Sequence, residues 1–119
     1  MEAEINEVVD VVEAFFGLLM DKNYNEAYEY ISSGDKLRGS LQDFSEEFIN
    51  VTDIISININ WAEIKSNIAM VGIDLTDCYD GEEKVYRDIE VSLIKEEDNS
   101  WKIVFWEKQK EQENIESNV

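Results

Sequence analysis

The chain contains no histidine. That removes the commonest general base near neutral pH, the commonest transition-metal ligand and every Ser-His or Cys-His nucleophile pair. The single cysteine, Cys78, cannot build a thiolate zinc cluster and has no imidazole to activate it. What remains for chemistry is carboxylates, aromatic side chains and Arg87. Asp74, Asp77, Asp80, Glu82 and Glu83 gather around one hairpin, but they lack the alternate-position spacing, with glycine at the sixth residue, of a calcium loop. Turn chemistry and solvation account for them, and no metal site is expected. Arg87 shares strand parity with Val85, Ile89 and Val91, so its stem is expected toward the apolar face. Its head then meets Asp77 of the neighbouring strand, meets a ligand carboxylate, or runs out to water at the strand end. Trp61, Trp101, Tyr24, Tyr28 and Tyr79 have apolar bodies with polar tips, which suits both a small-ligand wall and an ordinary core. Arg87, Trp61, Tyr28, Tyr79 and Trp101 are the candidate ligand-binding residues; no catalytic residue and no cofactor is expected.

These side chains need a scaffold, and the scaffold is organised around the first helix. From Glu4 to Met20, Ile5, Val8, Val9, Val12, Phe15, Phe16 and Leu19 recur at three- and four-residue steps, stacking along one stripe. Val11, Ala14, Leu18 and Met20 widen that stripe, so the helix must be covered on more than one side. Asn23 with Glu26 has capping-box spacing for a second helix, with Tyr24, Ala27, Tyr28 and Ile31 on one face and a glycine cap at Ser32-Ser33-Gly34. Residues 35–39 read as a polar link. Ser40 with Asp43 repeats the capping pattern before a third helix carrying Leu41, Phe44 and Phe48.

At Asp53 the period changes from about 3.6 to 2. Ile55, Ile57, Ile59 and Trp61 alternate with polar residues; Ala69, Val71, Ile73 and Leu75 follow; then Val85, Ile89, Val91 and Leu93; then Trp101, Ile103 and Phe105. Short connections, among them the turn signals Asp80-Gly81 and Asp98-Asn99, make an antiparallel meander the simplest topology. The apolar pattern wants Ile73 opposite Ile89 and Val71 opposite Val91. A two-residue turn at Asp80-Gly81 would miss that register by one residue, so a longer loop or a bulge is expected near Gly81. After Trp106 the alternation stops, and the polar, acidic end from Glu107 is expected to fray; the domain is read as residues 1–108 with a tail at 109–119.

The order of elements resembles the nuclear transport factor 2-like superfamily of cone-shaped α+β domains. The resemblance is carried by residues 11–19 (Val-Val-Glu-Ala-Phe-Phe-Gly-Leu-Leu), residues 23–28 (Asn-Tyr-Asn-Glu-Ala-Tyr) and residues 101–106 (Trp-Lys-Ile-Val-Phe-Trp), all packing positions. It implies an α+β fold with N-terminal helices packed in the concave face of a curved four-stranded antiparallel sheet, and an open end that holds a small ligand. Members that are isomerases carry a tyrosine hydroxyl on the first helix as an oxyanion donor; the alignment puts Phe15 there, which cannot donate.

Twenty-eight acids against ten bases leave a net charge of −18, which repels phosphate backbones and anionic lipid. Nucleic acid and membrane insertion are not expected. The lone cysteine and the acidic start of the chain fit a cytoplasmic protein, the alternative being a domain trimmed from an exported or membrane-tethered precursor. Ile68, Met70, Ile94, Val104 and Trp106 share the outer sheet face by parity, too much apolar surface to leave wet, so a homodimer through that face is expected. The functional reading is a non-catalytic domain that binds a small molecule or a protein. The alternatives are an isomerase, cyclase or dehydratase with a carboxylate base, and a structural dimerisation module.

Overall fold

The computed structural model describes residues 2–106. Four helices, α1 (Glu2–Met20), α2 (Tyr24–Tyr28), α3 (Ser33–Arg38) and α4 (Leu41–Glu46), precede four strands, β1 (Asp53–Lys65), β2 (Ile68–Tyr79), β3 (Glu82–Lys95) and β4 (Trp101–Ile103). The strands form one antiparallel sheet in sequence order, and the helices pack against it, an α+β architecture. The expected fraying tail lies outside the described residues.

On α1 the stripe resolves into a buried seam, Val8, Val12, Phe15 and Leu19, flanked by the half-buried Val11, Phe16 and Leu18. The seam meets Ala69, Val71 and Ile73 of β2, Val91 and Leu93 of β3, and Trp101 and Ile103 of β4 in one core. The helix ends with Lys22 at φ 61, its N–H bonded to Leu19 O at 3.0 Å and the Asn23 N–H to Leu18 O at 2.8 Å. This is a Schellman closure with lysine where glycine is usual. Lys22 then pairs with Asp53 and ties the helix end to the start of β1.

Three short helices follow, each opened by a side-chain cap. Asn23 accepts from the Glu26 N–H, Ser32 from the Asp35 N–H, and Ser40 with Asp43 completes a reciprocal capping box. The polar link expected at 35–39 is therefore mostly the helix α3. Gly34 lies inside that helix instead of closing α2, because Ser32 has already begun a new capped turn.

The register of β2 with β3 is the expected one, Ile73 opposite Ile89 and Val71 opposite Val91. The offset is taken up elsewhere than expected. Asp80 and Gly81 form a two-residue turn with positive φ at both positions, and Tyr79 faces Glu82. The extra residue is absorbed at Arg87–Asp88, where two residues of β3 oppose Asp74 alone and Asp88 takes φ 57. Two more bulges interrupt β1, at Ile55 and at Asn60. They change which residues face the core: Ile54, Ile57, Ile59, Ala62 and Ile64 pack inward, while Ile55 and Trp61 are turned out.

Candidate functional site

Strand β4 is three residues long, while β3 runs fourteen. Past the bond from the Val104 N–H to Ser92 O (2.9 Å), the chain leaves the edge of β3, and a gap opens between that edge and residues 103–105. The gap leads to a cavity of about 250 Å³. Phe15, Phe16 and Leu19 of α1 form one wall, and Phe48, Ile54 and Leu75 close it from the helix-α4 side and the sheet. At the edge stand Glu90, Val91 and Ser92, facing Ile103, Val104 and Phe105. The side chains that face the hollow are apolar; Glu90 and Ser92 flank the inward Val91 and border the hollow from the strand edge, the Ser92 hydroxyl donating to Met70 Sδ at 3.4 Å on the outer face.

The aromatic wall is held from behind by Phe44, which is fully buried. Its ring lies 5.1 Å from Phe105, 5.3 Å from Phe48 and 6.2 Å from Phe15, with tilted or edge-on geometry. Beside it Trp106 lies over Gly39, where a Cβ would come within 2.6 Å of the indole. Position 39 therefore has to lack a side chain for the segment after β4 to seat.

The five residues expected to bind ligand are dispersed. Trp101 is buried in the core, with Lys95 Nζ 5.7 Å above its ring. Tyr28 donates from its hydroxyl to Gly39 O at 2.8 Å and packs on Phe44. Tyr79 stands exposed at the β2–β3 turn. Trp61 lies on the outer face over Gly72, where an added Cβ would be 2.2 Å from the indole nitrogen. Arg87 is also turned outward, against the expected inward orientation, because the bulge beside it reverses the parity between Ile89 and Tyr86. It pairs with Asp74 at 3.3 Å and not with Asp77. Asp74 also accepts from Asn60 Nδ2 (3.0 Å) and the Asp88 N–H (3.1 Å), and these bonds, with Arg87 nearby, hold its carboxyl below the usual range. Asp77 instead accepts from the Thr52 hydroxyl at 2.8 Å.

None of the five lines the cavity. Phe15, Leu19, Leu75, Val91 and Phe105 do, and their apolar periodicity marked them as core without distinguishing core from cavity wall. Two residues assigned to the outer face also belong elsewhere. Val104 lines the cavity and Trp106 packs against Phe44, since the strand ends at Ile103 and its alternation no longer applies. Among the described residues, no three His, Cys, Asp or Glu side chains are grouped to hold a metal ion, and no helix is long and apolar enough to cross a membrane.

No protein-family model matches the chain, and no curated protein matches it significantly. Solved structures do. A SEC-C motif-containing protein of Rhodopseudomonas palustris superimposes with a TM-score of 0.68 at 10% identity, over 80% of this chain and 73% of that one. A Campylobacter jejuni protein described as an NTF2-like transpeptidase gives 0.49 at 14% identity, over 81% and 95%, too low a score for anything to be transferred from it. The likeness is one of fold: this chain is a small α+β domain similar in architecture to the SEC-C motif-containing protein.

Proposed function

We propose that the domain belongs with the nuclear transport factor 2-like superfamily and binds a small, uncharged, largely apolar molecule in the cavity between α1 and the open edge of β3, without chemically changing it. The observation that supports this most is the cavity itself, a hollow walled by apolar and aromatic side chains at the open edge of β3. Binding sites for small molecules are lined mostly by apolar and aromatic side chains, at volumes of roughly 300–1,000 Å³, and this one lies just under that range. At about 250 Å³ the space suits one ring or a short acyl chain. The three bulges in β1 and β3 support the curved, concave sheet such a cone requires. Against turnover stands Phe15, which lines the cavity where the resemblance would have an oxyanion donor. Losing such a donor costs about 10²- to 10³-fold in rate.

Native mass spectrometry of protein purified without denaturation tests the reading. A retained small molecule that Ile54→Phe, which narrows the cavity, no longer retains is the expected result. Isomerisation of a β,γ-unsaturated ketone well above buffer, lost when a single carboxylate is changed to its amide, would replace it with the enzymatic alternative.

A second reading concerns assembly. Ile68, 43% exposed, and Trp61, 39% exposed, share the outer face with Met70 and Ile94. Their exposure favours a homodimer through that face.

A further inference from the structure

We propose that Asp35 is the positioning residue of the cavity, its buried carboxylate fixing the segment 104–106 so that Phe105 forms a wall of the binding space. The inference rests on the cavity reading above.

When a strand ends, its next backbone N–H groups lose their ladder partners and need other acceptors. Here the ladder ends at Val104, and both following groups turn to one side chain. The Phe105 N–H donates to Asp35 Oδ2 at 2.7 Å and the Trp106 N–H to Oδ1 at 2.6 Å. Asp35 is completely buried, and its position is fixed in turn. The Ser32 hydroxyl donates to Oδ2 at 2.8 Å while accepting from the Asp35 N–H at 3.1 Å. Ser32 itself donates its N–H to Ile103 O at 2.9 Å, and Ile103 donates to Tyr30 O at 2.7 Å. Helix α3 and the end of β4 thus hold each other through a closed set of bonds. Bonds to a charged group are shorter and stronger than neutral ones, and two on one carboxylate fix direction as well as distance. The direction sets the cavity, because it swings the chain away from the β3 edge and turns Phe105 in beside Phe44 and Phe48.

Asp35→Asn keeps the shape but turns one of the two acceptors into a donor. Amide hydrogen exchange by NMR reads the result without any ligand, and a toluene titration reads affinity. The expected outcome is at least ten-fold faster exchange at Phe105 and Trp106, with the amides of Val12 and Val71 unchanged. Toluene should bind at least five-fold more weakly. Unchanged exchange at 105 and 106, or a rise shared equally by Val12 and Val71, would overturn the proposal, the second outcome making Asp35 a residue of global stability only. Should Asp35→Asn fail to fold, the wild-type protein decides: Phe105 and Trp106 amides exchanging as slowly as that of Ile103 support their bonds to Asp35, and amides exchanging as fast as an exposed loop overturn the proposal. If the wild-type protein binds no toluene, the cavity reading fails, while the exchange pattern still decides what Asp35 holds.

Discussion

At the scale of single residues, the polar groups that look most chemical are engaged with one another. Asp74 is the clearest case, accepting from Asn60, from the Asp88 backbone and from Arg87 on the outer face of the sheet. Its carboxyl is held below the ordinary value of 3.8. A carboxylate depressed in the folded state contributes stability that is present above the ordinary value and is lost as pH falls through the depressed one. Urea denaturation should therefore show Asp74→Asn less stable than wild type at neutral pH, with the gap closing on acidification below about pH 4. A gap that stayed constant between neutral pH and about pH 3 would mean the bonds do not depend on the charge. Arg87 belongs to the same cluster. Its parity argument fails because of the backbone at position 88, which takes a left-handed conformation open to aspartate but not marked by any glycine.

At the scale of elements, what was legible in the sequence follows from periodicity, and what was not follows from interruptions of it. The α1 seam, the Ser40–Asp43 capping box and the pairing of Ile73 with Ile89 were all readable, since each rests on a repeat or a fixed spacing. Bulges are single extra residues whose position is decided by cross-strand competition. Nothing in Ile54-Ile55-Ser56 or Ile59-Asn60-Trp61 marks one. That is why Trp61 was expected on the wrong face, and why the candidate binding residues did not converge. Asp35 was hidden for a related reason: a carboxylate that satisfies backbone 70 residues away leaves no local pattern. Helix α4 had a readable face, but not its role as the wedge behind the cavity. Phe44→Ala is expected to cost about 3–5 kcal/mol, as large-to-small changes at buried aromatics do, measured by chemical denaturation. A loss below about 1 kcal/mol would show that the surrounding rings close over the gap and that Phe44 is no wedge.

At the scale of the molecule, two surfaces remain to be matched with partners. The outer face carries Trp61, Ile68, Met70 and Ile94, and sedimentation equilibrium at tens of micromolar is expected to give a dimer that Met70→Glu converts to monomer. A wild-type monomer unaffected by that change would leave the face as a solvated one. The cavity between α1 and the edge of β3 is tested by a toluene titration of isotope-labelled protein followed by NMR. Saturable shifts confined to the amides around Phe15, Leu19, Leu75 and Val91, and abolished by Ile54→Phe, are predicted. Absence of saturable shifts, or shifts centred on Trp61 and Ile68 of the outer face, would contradict the account.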